Sequence, residues 1–460
     1  MQAAVVVAAV PAGRWVPGRW ARPVPSEAQL RWQREETALF IHFGINTFTD
    51  REWGDGSESP ALFDPSALDA RQWARAARSA GAGSMVLTAK HHDGFCLWPT
   101  ATTRHSVASS PWRGGRGDVM REFVDACRAE GLGAGVYLSP WDRNAPAYGS
   151  GKGYDDFYVA QLTELLTRYG PLVEVWFDGA NGEGPNGRRQ AYDWPRIHRT
   201  VRELQPDAVI FSDAGPDVRW IGNERGVAGE TCWSTIDPAA VPYAGYDAPG
   251  VGEILQRGHP DGSVWRPGET DVSIRPGWFW HPAEDEKVRT VENLADLHFT
   301  SVGRNSKLLL NVPPTRDGLF HATDVERLAG FGASVARLYE RDGAKGASSP
   351  DRGGRRLVAG RPRTWWSPRG SSGMVELALR RPTPMSVLCL EEAIAHGQVV
   401  ESYRVAARVA GAWREVARGT TIGHRKLDRI EPVTADAIRL TIERALGVPR
   451  IARLSLLAAP

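Results

Sequence analysis

Cysteine is scarce in this chain of 460 residues: Cys96, Cys127, Cys232 and Cys389 stand far apart with no C-x-x-C pair. That spacing speaks against a zinc site and against a disulfide-stapled scaffold. An excess of one charge is missing too. With 56 basic and 54 acidic residues the formal net charge is +2, so a polyanion-binding surface is not its main business and nucleic acid is not an expected partner. Long apolar runs are lacking, and no membrane partner is expected. The N-terminal "MQAAVVVAAVPAGRW" is too short to span a bilayer and has no basic residues ahead of its apolar core, as a signal peptide would. The compartment is left open, with the cytoplasm ahead of a secreted or periplasmic site. No P-loop occurs, no G-x-G-x-x-G follows the first strand-like run, and no internal repeat or low-complexity tract is evident.

Tryptophan, by contrast, is abundant. Eighteen of these residues suit either an aromatic-rich core or stacking against the apolar faces of sugars. Hydrophobic content of 42% and charged content of 24% describe a soluble globular protein whose length favours two or three domains.

From residue 38 to about 339, short apolar runs alternate with amphipathic helical stretches. The strand candidates are "ALFIHFGI" (38–45), "SMVLTAKHHDG" (84–94), "GAGVYLSP" (133–140), "VEVWFDG" (173–179), "DAVIFSD" (207–213), "VRWIGNE" (218–224), a run within "DVSIRPGWFW" (271–280) and "SKLLLNVPP" (306–314). Helical patterns lie between them; Asp64 is a candidate N-cap, and Gly81, Gly131 and Gly170 each stop a helix just before a strand. Nearly continuous apolar strands joined by helices predict a parallel sheet covered on both sides, and eight such units predict a (β/α)8-like barrel. A Gly-, Ser- and charge-rich junction follows, then short alternating runs from "MVELAL" to "IARLSLLAA" that predict a small antiparallel β-sandwich domain. The expected division is a catalytic barrel with an N-terminal extension over 1–342, a linker over 343–354 and the sandwich over 355–460.

In such a barrel the working groups project from the C-terminal strand ends. His42, inside the buried-looking "FIHFGINTF", must find a hydrogen-bonding partner or cost stability, so it is either satisfied within the core or opens into a site. His91, His92 and Asp93 end the second strand, Trp141 and Asp142 follow the third, and Trp176 and Asp178 close the fourth. A metal centre is disfavoured: His91 and His92 point to opposite sides of a regular strand, and the H-x-H pair of many metal-dependent barrel hydrolases is absent because residue 44 is glycine. Paired carboxyl groups offer another chemistry, glycosidic-bond hydrolysis with retention. Asp178 at a buried strand end is the natural nucleophile, with a helix N-cap as the alternative reading. Glu224, Glu230 and Glu269 lie in candidate loops, Glu183 follows Asp178, and any of these could be its partner.

Seven stretches resemble glycoside hydrolase family 29, the α-L-fucosidases: "FIHFGINTFTDREWGDG", "LTAKHHDGFCLW", "GVYLSPWDRN", "VEVWFDGANG", "RWIGNERGVAGETCWST", "ETDVSIRPGWFWHP" and "SVGRNSKLLLNVPP". They run in order through nearly the whole barrel region. The resemblance implies double displacement on a (β/α)8-like barrel with a C-terminal β-sandwich, needing neither metal nor organic cofactor. It implies Asp178 as nucleophile and, through "GNE", Glu224 as acid/base, with Glu230 as the alternate. The same segment resembles the subgroup preferring branched α-1,3- or α-1,4-linked fucose. Sugar-binding roles are implied for His42, Glu52, Trp53, His91, His92, Trp141 and Trp176. Trp278 is a candidate wall for the C6 methyl group, and Arg275 either binds a hydroxyl or pairs with Asp271. The expected activity is thus a retaining exo-α-L-fucosidase acting on a fucosylated glycan. Two rival classes are separable: a fucose-binding protein would bind without releasing free fucose, and a metal-dependent barrel hydrolase would lose activity on chelation.

Overall fold

The computed structural model describes residues 22–340, 342–345, 347–349, 354, 357 and 364–458. The N-terminal apolar run and much of the expected linker lie outside them. Eight parallel strands close into a barrel: β1 Thr37–Ile41, β2 Ser84–Lys90, β3 Gly133–Leu138, β4 Glu174–Trp176, β5 Val209–Ser212, β6 Val218–Trp220, β7 Gly268–Ser273 and β8 Ser306–Asn311. Around the ring the order is β1-β8-β7-β6-β5-β4-β3-β2. The strand candidates all fall on these elements, although most extend past the last ladder residue into the loops that carry the polar groups. The seventh is also displaced, since β7 begins at Gly268 rather than within 271–280.

Strand alternation sorts the barrel into two apolar layers. Ala38, Phe40, Val86, Tyr137, Trp176, Phe211 and Leu309 fill the interior together with Trp32. Leu39, Ile41, Leu87, Val136, Val175 and Leu310 instead face the surrounding helices, where they join Trp73, Phe123 and Leu162. Several helices begin on aspartate caps, and three stop just ahead of a left-handed glycine. Asp69, not Asp64, accepts from the amides of Arg71 and Gln72 at the start of Ala70–Ser79, and Asp118 does the same for Arg121 at Val119–Ala129. Gly81, Gly131 and Gly170 have φ of 78°, 71° and 74°, a region open to glycine at little steric cost.

The C-terminal part is a five-stranded antiparallel sheet with its own apolar core, including Leu377, Tyr403, Val405, Ile438 and Leu440. The runs "MVELAL" and "MSVLCLEEAI" belong to one 20-residue strand, Gly373–Glu392, interrupted by register shifts. This sheet docks where β1 and β8 begin. Arg425 lies 3.0 Å from Glu36 and 2.8 Å from Glu391, His424 Nε2 meets Glu36 at 3.0 Å, and the His424 amide donates to Asn305 Oδ1 at 2.7 Å. The barrel's opposite end, beyond the C-terminal ends of its strands, is left to its own loops.

Candidate active site

At that end a cavity of about 350 Å³ is lined by Phe40, His42, Glu52, Trp53, His91, His92, Tyr137, Trp176, Asp178, Ala180, Glu224, Asp271 and Trp278. Parity explains much of the list. Ala38 and Phe40 point inward on β1, so His42, one step on, continues the same face; Trp176 and Asp178 repeat the relation at β4, and Glu269 and Asp271 on β7.

His91 and His92 break the expected alternation. The β2–β3 register shifts between Thr88 and Lys90, and the chain then turns at Gly94, whose φ is 82° and whose amide donates to the His91 carbonyl. A bulge of this kind re-aims the side chains beyond it. Lys90 turns outward to Asp142 at 2.9 Å, and both rings reach the cavity with centroids 4.1 Å apart.

The hydrogen-bond network fixes which imidazole nitrogen carries the proton. Asn311 Nδ2 donates to the Trp278 carbonyl at 2.8 Å, so its Oδ1 faces His42 Nδ1 at 2.8 Å, and that nitrogen must be the donor. Ser139 donates to the Trp141 carbonyl at 2.7 Å, which leaves its oxygen to accept from His92 Nδ1 at 2.7 Å. The Nε2 atoms of both rings are therefore acceptors. Burial keeps the rings neutral: it lowers the pKa of His42 to about 3, and that of His91 well below the ordinary value with help from His92 and His42. Burial also lowers His92, although the Asp178 charge opposes the shift.

Both oxygens of Asp178 are engaged. The Ala180 amide donates to Oδ1 at 2.7 Å, the Tyr137 hydroxyl donates to Oδ2 at 3.0 Å, and His92 Nε2 stands 3.9 Å from Oδ2. Asp178 is no helix cap, because the next helix, Trp194–Leu204, is capped by Asp193. Glu224, on the loop after β6, is exposed at the rim and accepts from Trp278 Nε1 at 3.4 Å. Desolvation raises its pKa, as do the charges of Asp178 and Glu52, against the Trp278 hydrogen bond.

Other groups hold this arrangement in place. Glu52 accepts from the amides of Trp278 at 2.9 Å and Phe279 at 3.1 Å and meets His281 Nε2 at 2.7 Å, tying the loop after β1 to the loop after β7. Gly277 permits that approach, since a Cβ there would lie 2.4 Å from Glu52 Oε1. Trp176 stacks on Phe211 with centroids 4.1 Å apart, and its indole donates to Glu269 at 3.0 Å.

Several expected residues stand elsewhere. Arg275 does not reach the cavity and does not pair with Asp271; its guanidinium is fully buried against Asp324 at 3.0 Å and Asp285 at 2.8 Å, because the chain has already left β7 by residue 275. Trp141 sits behind the lining, its ring 4.9 Å from His92 and 5.7 Å from Trp53 and its N–H bound to the Glu183 carbonyl. Glu269 is a buried barrel-interior residue beneath Trp176 rather than a loop acid, and the exposed Glu183 is absent from the lining. Glu230 lines a separate cavity against the C-terminal sheet, 3.6 Å from Arg304. Tyr137, Asp271 and Asn311 escaped the sequence reading as site residues, because their inward placement follows from strand register, which the sequence pattern alone does not set. Among the described residues, no group of three or more His, Cys, Asp or Glu side chains could hold a metal ion.

Comparison with known proteins places this geometry. The alpha-L-fucosidase family model matches residues 26–338. Alpha-L-fucosidase 1 of Arabidopsis thaliana is 42% identical over 450 residues, covering 94% of this chain and 87% of that one. A glycoside hydrolase 29 family member from an unknown rumen bacterium superposes with a TM-score of 0.86 at 40% identity, over 96% of this chain and 78% of that one. A GH29 fucosidase of Ruminococcus gnavus, solved in complex with fucose, gives a TM-score of 0.86 at 32% identity, covering 97% of each chain.

Proposed function

Since the chain belongs to the alpha-L-fucosidase family, glycoside hydrolase family 29, we propose that it removes terminal fucose by a retaining double displacement in which Asp178 is the nucleophile and Glu224 the acid/base. One observation carries this reading: Asp178 and Glu224 line the same cavity, and Glu224 holds its proton more tightly partly because Asp178 is charged nearby. In the first step the Asp178 carboxylate attacks the anomeric carbon while Glu224 protonates the departing glycosidic oxygen. In the second, Glu224 takes a proton from the water that releases fucose. Tyr137 and the Ala180 amide aim the attacking carboxylate.

The remaining lining suits a neutral deoxyhexose. His42 Nε2 and His92 Nε2 accept from ring hydroxyls, while Trp278 and Phe40 offer apolar faces to a methyl group. The fucose bound by the Ruminococcus gnavus relative supports the same sugar here. The preferred linkages in this proposal are α-1,3 and α-1,4 in branched glycans, read from the "GNE" segment that carries Glu224.

The test is NMR-monitored hydrolysis of Lewis-type trisaccharides, 2′-fucosyllactose and an aryl fucoside. Expected are release of the α-anomer first and a preference for the trisaccharides; a β-anomer would overturn retention, and faster cleavage of 2′-fucosyllactose would overturn the linkage assignment. The Asp178→Gly variant should be inactive and rescued by azide, and activity retained by Asp178→Asn would remove the nucleophile assignment.

A further inference from the structure

The cavity contains more carboxyl groups than a double displacement uses. Glu52, Asp178, Glu224 and Asp271 all line it, and no lysine or arginine is among its lining residues. Glu52 serves as the tie between two loops, and Asp178 and Glu224 carry the proposed chemistry. Asp271 is left without a role. It is 5% exposed and lies on the inward face of β7, and Trp220 Nε1 donates to its Oδ1 at 2.7 Å. The charged groups facing it are Glu224 after β6, Asp178 after β4 and Glu269 on its own strand.

Carboxyl groups that share one cavity, taken out of water and with no lysine or arginine in its lining, cannot all be ionised; the nearest buried ammonium, Lys307 on β8, pairs with Glu35 and faces Glu174 and Glu269. Desolvation first, and then the charge of Glu224, push the Asp271 carboxyl well above its ordinary pKa. A protonated carboxyl group has one O–H to donate in addition to an acceptor oxygen. The acceptor is already committed to Trp220. The histidines supply acceptors for sugar hydroxyls, and a hydroxyl that donates to an imidazole still has lone pairs to satisfy.

We propose that Asp271 contacts the substrate as a neutral acid, with Oδ1 held by Trp220 and its O–H donated to a hydroxyl oxygen of the bound deoxyhexose. Its proton stays on Asp271 throughout turnover, so the residue determines sugar binding and takes no part in proton transfer. This inference rests on the fucosidase reading above.

The experiment compares wild type, Asp271→Asn and Asp271→Ala, with kcat, KM and the inhibition constant of free fucose measured across pH. Asp271→Ala should raise the fucose inhibition constant about ten-fold, the loss expected for one hydrogen bond to a sugar. Asp271→Asn keeps an acceptor for Trp220 and a neutral donor, so its inhibition constant should stay within about two-fold of wild type on the same scale. The alkaline limb of kcat/KM, set by Glu224, should not move in Asp271→Asn because no charge has been removed. A limb displaced to lower pH in that variant would show that Asp271 is ionised and would overturn the proposal. Wild-type fucose affinity in a folded Asp271→Ala protein would overturn it as well; if that variant does not fold, Asp271→Asn decides alone. Failure of the wild-type enzyme to release fucose would instead sink the underlying function, which keeps the two failures distinguishable.

Discussion

Burial of His42 makes a quantitative prediction about the pH dependence of stability. In the folded protein its pKa falls from 6.5 to about 3, so below about pH 6.5 the unfolded chain binds a proton there that the native state refuses. Folding stability must then decrease as pH falls, at about 1.4 kcal/mol per unit. Between about pH 7.5 and about pH 5 the loss from this residue comes to about 2 kcal/mol, because the unfolded histidine begins to titrate near its reference value. That figure does not depend on where near 3 the native group titrates, since the lower pH still lies well above it. Urea unfolding of the wild type and of His42→Leu at both pH values isolates the term. The substitution shifts overall stability by removing the donor to Asn311, but only the pH dependence of the difference is read. The wild type should lose about 2 kcal/mol more than the variant on acidification. Equal losses would mean that the ring is free to protonate in the native state, and its assignment as a fixed acceptor would fall. In the same variant kcat/KM should drop about five- to hundred-fold, the range for about 1–3 kcal/mol lost when a buried hydrogen-bonding group is left without its partner.

Further tests address other parts of the molecule. Glu224→Gln should abolish the alkaline limb of kcat/KM, since the raised pKa makes the protonated form the active one and activity is lost as pH rises through it; on oligosaccharides the rate should fall by about 10²–10⁴. An aryl fucoside with a good leaving group should suffer much less in the same variant, and equal losses on both substrates would argue against general-acid catalysis by Glu224. Arg425→Met should destabilise the protein by about 1–3 kcal/mol in chemical denaturation, because it removes the cation bridging Glu36 and Glu391 and leaves Glu36 only its contact with His424, with kcat unchanged; an altered kcat would show that the C-terminal sheet reaches the chemistry. Trp53 is 56% exposed at the mouth, so Trp53→Ala should raise KM for a trisaccharide more than for an aryl fucoside, and identical changes for both would deny it a role toward the leaving group.

The barrel could be read from the sequence because nearly every strand is an apolar run followed directly by polar residues, and because Gly81, Gly131 and Gly170 punctuate it. Asp178 stood out for the same reason, and His42 as a polar ring set inside an apolar run. Residues whose roles depend on register were not legible. Tyr137 reads as one more core aromatic in "GVYL" until alternation from Gly135 sets it beside Trp176. Asp271 sits inside β7, whose start the alternating pattern did not reveal, so neither its parity nor the departure of Arg275 from the strand could be deduced. The joint exposure of His91 and His92 depends on a bulge that no local pattern announces. Glu230 and Glu224 are six residues apart on one loop and are told apart only by its path, which carries one to the mouth and the other toward the C-terminal sheet.

The absence of a lining cation has a consequence for selectivity. A uronic acid or a sulfated hexose entering this chamber would bring negative charge to walls that carry Asp178 and Glu52 and present no basic side chain to receive it. Such sugars would be turned away by repulsion even where their shape fitted, and the same walls accept an uncharged methyl pentose without penalty. Discrimination against acidic monosaccharides is thus built into the chamber independently of any contact that recognises the correct one.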